Sequence, residues 1–453
     1  MHGEVVGHRE GVLDENAAWT ADRKALKEAL PPLSKQEALV ESARCLMCYD
    51  APCTHACPTH IDIPKFIKKI NTGNLLGSAR TILESNLLGA TCARVCPVQE
   101  LCEGACVLRA EHKPISIGRL QRYAMDHVYD RGVDIFLMVK ASGKKVAVVG
   151  GGPAGLSCAG ELAKRGHEVT LFEKRKLAGG LSTFGIIGLR EPVNISLAEV
   201  AMIERLGVRI ETGREVGNGL ALGDLQAKFD AIFLALGLGA TPNLGIPGEE
   251  HILDGLEYIE QSKMNGSAMK IGKNVVVIGA GNTAIDCATI AKRLGAEHVT
   301  MIYRRTPNEM TAYPHEYDFI KKEGVRFEFL SQPMRVQAKN GTVDGVECVH
   351  MSLGHKDASG RPTPQPVPGS HFVISADQVV KAIGQQKPSL VARLNLKTQR
   401  GYIAVDQNLQ TSLPGVYAGG DCIRAVGSAS TVMAVQDGKL AARAIHERLV
   451  GHG

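Results

Sequence analysis

KVAVVGGGPAGLSCAGELAKRGHEVTLFEK, residues 145–174, decides the fold. An apolar run, Val146 to Val149, leads into Gly150-x-Gly152-x-x-Gly155; a helical stretch and a second apolar run follow, ending at Glu173. This is the pattern of a strand, a tight turn, a helix and a parallel strand. Gly150 permits the turn, Gly152 lets backbone approach a pyrophosphate, and Gly155 lets helix and strand pack closely. The free N–H groups at the helix start favour phosphate. Glu173 stands where an acid accepts from a ribose hydroxyl and repels a 2′-phosphate, so the unit suits FAD or NAD.

The same pattern returns at residues 274–305, NVVVIGAGNTAIDCATIAKRLGAEHVTMIYRR. Gly279, Gly281 and Ala284 take the three glycine positions, and Asn282 and Thr283 open the helix. The second strand ends in Tyr303-Arg304-Arg305 instead of an acid. Arginine there can clamp the extra phosphate of NADP, at about 1.5–3 kcal/mol for a charge-assisted bond. A solvated charge pair is the plainer alternative. This unit is read as an NAD(P)H site, leaning toward NADPH. Near the end of the chain, Ala418-Gly419-Gly420-Asp421 follows a short strand. Asp421 supplies an acid for a ribityl chain. Thr431 opens the last helix, whose positive end suits a flavin carbonyl, so the first unit is read as FAD-binding.

Composition sets the wider limits. The chain has 453 residues, 44% hydrophobic and 22% charged, with 50 glycines and 4% aromatics. That size accommodates two or three α/β domains. Net charge is +5, from 52 basic and 47 acidic residues, too small an excess to argue for nucleic acid or a membrane surface. The first residues are polar and lack an apolar signal region, and no run of about 18 apolar residues occurs. The expected setting is cytoplasmic.

Eight of the 12 cysteines fall between residues 45 and 106. One set is Cys45-x2-Cys48-x4-Cys53-x3-Cys57-Pro58; the other is Cys92-x3-Cys96-Pro97-x4-Cys102-x3-Cys106. Structural zinc uses two CxxC pairs separated by a longer loop. Close clustering with two Cys-Pro endings favours iron–sulfur clusters, in which the last cysteine of a run can serve the neighbouring cluster. Counting gives two clusters and leaves the ligand assignment open. Cys158, Cys287, Cys348 and Cys422 are solitary and read as small buried residues. The Gly179-Gly180 turn is followed by Leu-Ser-Thr-Phe-Gly, without cysteine. No redox dithiol is found beside the flavin unit, so electrons leave by another route.

Taken in order, RCLMCYDAPC, CARVCP, LCEGAC, IGRLQRYA, VVGGGPAGL, GAGNTAIDCA and AGGDC make a highly specific set. The set resembles the flavin-containing electron-input subunit of bacterial dihydropyrimidine dehydrogenase and the equivalent half of the single-chain enzyme. It is also similar to the small subunit of glutamate synthase. The resemblance implies two interleaved 4Fe–4S clusters. One uses Cys45, Cys48, Cys53 and Cys106; the other uses Cys57, Cys96, Cys102 and the side-chain oxygen of Gln121, with Cys92 a non-ligand. Spacing alone selects Cys92 and reads Gln121 as a helix-surface residue.

The resemblance also implies an architecture: an N-terminal helical iron–sulfur domain (1–140), then two nested Rossmann-like domains. The FAD domain is split, 141–250 and 386–453, around an inserted NAD(P) domain, 251–385. Residues 34–45, 66–70, 75–83 and 117–129 carry helical periodicity, the middle two as short helices, and nothing before Lys140 reads as a strand series. Residues 354–368 are rich in turn formers and read as a loop between strands. The expected reaction passes a hydride from NAD(P)H to FAD, then single electrons through the clusters to an FMN-containing partner subunit that reduces uracil or thymine. The (β/α)8 barrel of about 250 residues that such a partner contributes has no room here. No side chain is singled out as a catalytic acid or base. The glutamate synthase small subunit, serving a different acceptor, is the nearest alternative. A zinc-bearing, NAD(P)-sensing interaction protein is the alternative of another class.

Overall fold

The computed structural model describes residues 28, 30–111, 113–136, 139–356, 360–424 and 430–451. The polar N-terminal stretch therefore lies outside the described residues up to 27. The chain divides into two compact units: 30–185 with 190–240 and 385–453, and 241–384 with 186–189.

The first unit begins with helices. Ser34 caps Lys35–Ala43: its Oγ accepts from Glu37 N at 3.2 Å, and Glu37 Oε2 accepts from Ser34 N at 2.8 Å. Such a reciprocal box fixes a helix start. Helices Ile63–Asn71, Leu75–Ser85 and Ile117–Tyr129 follow the apolar spacing of the sequence. They bury Phe66, Ile67, Ile70, Ala79, Ile82, Leu83, Leu120 and Met125. No strand precedes Lys145 among the described residues.

A five-stranded parallel sheet comes next, in the order Val416–Ala418, Ala231–Leu234, Lys145–Val149, Glu168–Glu173, Arg209–Thr212. Its central strands are buried on both faces, as doubly wound sheets require. Helix Pro153–Ala163 covers one face, and the last helix, Thr431–Val450, lies against it. A Cβ on Gly438 would stand 2.2 Å from Ala154 O, so only glycine permits that approach.

The helical region and this sheet share one hydrophobic core, in which Phe66, Leu87 and Leu120 join Leu156, Ile203 and Val435. The expected boundary at residue 140 marks a change of secondary structure and not a separate core. Gly160 is one reason: a Cβ there would meet Ile203 Cδ1 and Leu87 Cδ1 at 2.6 Å.

The second unit holds another five-stranded parallel sheet, ordered Leu253–Asp254, Gln378–Lys381, Asn274–Ile278, His298–Tyr303, Arg326–Phe329. It begins at 241 and ends at 384, not at the expected 251 and 385. The cause is that residues 244–249 bind inward. Val336 N donates to Pro247 O at 2.9 Å, and Glu249 Oε1 accepts from Lys381 Nζ at 2.8 Å.

An antiparallel sheet, Pro362–Ser375, Thr342–Lys356 and Ser331–Lys339, completes this unit. Much of the stretch read as a loop, 354–368, is thus strand. Its prolines 362, 364 and 366 lie on an edge strand, the position in a sheet that tolerates a missing N–H. No helix among the described residues is long and apolar enough to cross a membrane.

One buried polar contact in the first unit is unusual. Thr91 Oγ1 lies 2.5 Å from both Glu191 Oε1 and Glu199 Oε2, and Ala90 N donates to Glu199 Oε1 at 2.7 Å. A single hydroxyl proton cannot serve two carboxylates, so one carboxyl holds a proton. Burial, above all, raises Glu199 to about 8, and the Glu191 charge adds to it. The unfolded chain, at an ordinary 4.5, releases that proton earlier. Between these values the folded state binds more protons, so stability falls as pH rises and is fully present only below the lower value. The melting temperature should decline from about pH 5 to about pH 8, and Glu199→Gln should flatten the decline; an unchanged slope in the variant would assign the effect elsewhere.

Candidate functional site

Four of the predicted thiols meet in one cavity. Cys45, Cys48, Cys53 and Cys106 line one small cavity, walled by Leu46, Pro52, Ile63, Ile67 and Ile117. Cys45 follows the C-terminal end of helix Lys35–Ala43, its N–H donating to Ser42 O at 3.3 Å. Cys53 sits in the short helix Pro52–Ala56. Cys106 follows a turn that only Gly104 permits, since a Cβ there would meet Gln99 O at 2.1 Å. Burial raises the Cys45 thiol, and raises Cys53 to about 11, with Cys106 and Cys45 adding repulsion. Thiolates crowded in so apolar a place need a bound metal cation, whose binding displaces their protons.

The other thiols adjoin. Cys96 is held well above the usual thiol range by its hydrogen bond with Cys92, by burial, and by the charges of Cys92, Cys102 and Cys57. Cys102 is raised by burial first, then by Glu103, Cys57 and Cys53. Gln121 is buried and not on the helix surface. Its Nε2 donates to Gly89 O at 2.7 Å, which orients the amide and leaves Oε1 as acceptor. Cys92 is also buried, so Cys92 and Gln121 both stand inside this region. Among the described residues no three His, Cys, Asp or Glu side chains converge on a single-ion site.

The first glycine turn has one open lane. Gly150 has φ +103°, and a Cβ on it would meet Ala235 O at 2.2 Å; a Cβ on Gly155 would meet Gly150 O at 1.9 Å. At Gly152 a Cβ would touch only Gly180 Cα, at 3.9 Å. Space beside Gly152, at the start of helix Pro153–Ala163, fits a dinucleotide phosphate. Gly180 itself, at φ +58°, backs directly onto Gly152. Glu173 does more than the sequence suggests. Its Oε2 accepts from Gly151 N at 2.7 Å and its Oε1 from Arg175 N at 2.8 Å, tying strand end to turn.

Gly420, at φ +79°, donates its N–H to Asp437 Oδ2 at 2.9 Å, and Arg424 also donates to that carboxylate. Asp421 next to it is raised by burial, with Arg424 opposing and Asp437 adding. Thr431 opens the C-terminal helix, capped by Ser430. Sequence reasoning missed Asp437 and Arg424. The available signal was an acid on the buried face of that helix, among Val435, Gly438 and Ala441.

In the second unit Gly279 has φ +133° and lies against Ala382 O, 2.2 Å from where its Cβ would be. Gly281 is open except toward Thr311 Oγ1, at 3.2 Å. Helix Asn282–Arg293 carries Thr283 in its first turn and Ala284 fully buried; Asn282 Oδ1 accepts from Tyr313 N at 3.1 Å. Thr311 and Tyr313 were not predicted, because only tertiary contact brings them to the turn. The two arginines separate. Arg304 is exposed, while Arg305 is buried and its Nε donates to Pro362 O at 2.9 Å. None of the cysteines among the described residues forms a disulfide, and Cys158, Cys287, Cys348 and Cys422 are buried.

Residues 144–438 match the pyridine nucleotide-disulphide oxidoreductases, about two thirds of the chain. The chain belongs to that family. Residues 22–133 match dihydropyrimidine dehydrogenase domain II, a 4Fe–4S cluster domain. This family member is 38% identical over 430 residues to the NADP(+)-dependent formate dehydrogenase subunit beta of Moorella thermoacetica, covering 88% of the chain and 60% of that relative. It therefore spans less than two thirds of that subunit. It is 35% identical to the NAD-dependent dihydropyrimidine dehydrogenase subunit PreT of Escherichia coli, covering 94% of the chain and 98% of the relative. Identity to the glutamate synthase [NADPH] small chain of Escherichia coli is 34%, covering 92% and 93%. A thioredoxin reductase of Lactococcus lactis shares the fold at TM-score 0.52 and 22% identity, over 68% of this chain and all of that one. The protein is an NAD(P)H-dependent oxidoreductase with FAD and 4Fe–4S cofactors, built as α/β Rossmann-type domains behind an iron–sulfur region.

Two substitution pairs test the site. Gly152→Leu should abolish flavin retention yet keep the fold, read by absorbance and circular dichroism, whereas Gly155→Val should lose both. Arg304→Ala should weaken NADPH binding by about 10- to 100-fold and leave NADH little changed. Arg305→Ala should chiefly lower the melting temperature; equal loss of both nucleotides in Arg304→Ala would remove the phosphate-clamp role.

Proposed function

We propose that this chain is the electron-input subunit of a dihydropyrimidine dehydrogenase. In this reading Gly279, Gly281, Asn282, Thr283 and Ala284 hold the NAD(P)H pyrophosphate, with Arg304 on the 2′-phosphate and Arg305 supporting it from below. Gly150, Gly152, Gly155, Glu173, Gly180, Gly420, Asp421 and Thr431 hold FAD. Bound FAD supplies the conversion of one hydride into two single electrons. Cys45, Cys48, Cys53 and Cys106 hold one 4Fe–4S cluster; Cys57, Cys96, Cys102 and Gln121 hold the second, with Cys92 beside it as a free thiol.

The observation that carries this reading is the single apolar cavity lined by Cys45, Cys48, Cys53 and Cys106. Its ligands come from two distant stretches of chain, which is the interleaving the assignment requires. The solitary, buried state of the four later cysteines supports an outlet through these centres and not through a dithiol. The chain's remaining roles are to position nucleotide and flavin and to keep water from the cluster thiolates; hydride transfer needs orientation more than an acid or base.

The electrons go to a partner subunit with FMN, which reduces uracil or thymine. Near-complete coverage of the dihydropyrimidine dehydrogenase subunit PreT supports that choice. The clustered thiols suit the cytoplasm, where they stay reduced. Co-purification from native cells is the test. An FMN-bearing partner with NAD(P)H-dependent uracil turnover is expected. A large amidotransferase partner would transfer the assignment to glutamate synthase. Anaerobic preparations should contain about eight irons and eight acid-labile sulfides per chain if two four-iron clusters are present; zinc without sulfide would reject the redox reading altogether.

A further inference from the structure

Lys439 lies two turns into the C-terminal helix, the element that begins at Thr431 beside the flavin motif. Its ammonium does not reach solvent freely or meet an acid. It donates to Thr59 O and Ser85 O, both at 3.0 Å, in the iron–sulfur region of the same unit. Among the described residues no carboxylate stands within ion-pair distance of it. Thr59 is two residues from Cys57, and its Oγ1 lies 3.4 Å from Cys57 Sγ. Burial, first of all, pushes Lys439 down, while the Glu161 and Cys57 charges push it up and Lys164 and Arg165 oppose them.

A half-buried ammonium bonded only to neutral carbonyls is poorly compensated by the polypeptide. A plain structural account exists in part. Ser85 ends helix Leu75–Ser85, and a cation at a helix C-terminus is favourable. That account explains one carbonyl and leaves the second, beside Cys57, unaddressed. A cluster bound by three thiolates and an amide carries net negative charge, and each added electron makes it more negative. Nearby charge is one of the levers that set cluster potentials.

We propose that Lys439 is the counter-charge of the cluster held through Cys57, raising its reduction potential so that it accepts electrons readily. This rests on the assignment of Cys57 as a ligand. Lys439 is a positioning residue in this role: it acts on the cluster through field and not through chemistry. The lysine comes from the helix that carries Thr431, so the same element that lines the flavin site also sets the charge beside the cluster.

Potentiometric titration of anaerobic, cluster-loaded protein, followed by electron paramagnetic resonance, tests it. Lys439→Gln and Lys439→Met should lower the midpoint of one cluster. The expected size is about a tenfold smaller reduced-to-oxidised ratio at fixed potential, or 59 mV for a one-electron couple. Lys439→Arg should stay near the native value. Native midpoints in both neutral variants, or an arginine variant displaced as far as they are, would overturn the proposal. So would loss of the cluster from both neutral variants with flavin retained, since that would make the lysine a tether alone. Cys57→Ser separates the two levels: it should lose one cluster signal, and full iron content in that variant would instead defeat the ligand assignment.

Discussion

A carbonyl oxygen occupies the place where a side chain would have to go. Gly150 O lies 1.9 Å from the position of a Cβ on residue 155, and Ala235 O lies 2.2 Å from one on residue 150. In the second unit Ala382 O stands in the same relation to Gly279. Ala235 and Ala382 each follow the strand that pairs beside the glycine-bearing one, Ala231–Leu234 in the first sheet and Gln378–Lys381 in the second. The close approach of backbone to backbone fixes strand, turn and helix together. It also leaves the next glycine, Gly152 or Gly281, facing space with little in it. The cofactor lane is thus a by-product of the packing that makes the fold.

Charge is handled differently in the two cofactor regions. Around the glycine turns, acids are spent on backbone N–H groups: Glu173 on Gly151 and Arg175, and Asp437 on Gly420. These bonds hold the loops in the shape the phosphates need and keep the carboxylates satisfied where burial would otherwise penalise them. In the cysteine region backbone N–H groups also reach the sulfurs, Met47 to Cys45, Thr54 to Cys53 and Glu103 to Cys102, but burial outweighs them. The thiols face apolar side chains and one another, so the protein by itself favours the protonated thiols, and iron is what ionises them. Affinity for the inorganic centre and folding of this region are therefore coupled.

Much of this was legible before the structure. The helices at Ile63–Asn71, Leu75–Ser85 and Ile117–Tyr129 follow apolar spacing that leaves little choice, whereas Lys35–Ala43 buries Ala38 and Ser42 and leaves Leu39 and Val40 exposed; both glycine turns sit where their strands require. The prolines of residues 362–366 misled, because turn chemistry and edge-strand tolerance draw on the same residue type. Arg304 and Arg305 looked alike and are not: one is exposed, and the other is anchored to Pro362 O by a strand 57 residues further on.

The residues alone determined the two parallel sheets, the helical start and the cysteine sets, since local periodicity and the sterics of glycine are properties of short stretches. Only the folded chain decided which thiols share a cavity, that Gln121 is buried and fixed by Gly89, and that Lys439 ends beside Cys57. Those are meetings of segments tens to hundreds of residues apart, and spacing along a chain carries no record of which distant carbonyl or charge a side chain will find once the core has closed.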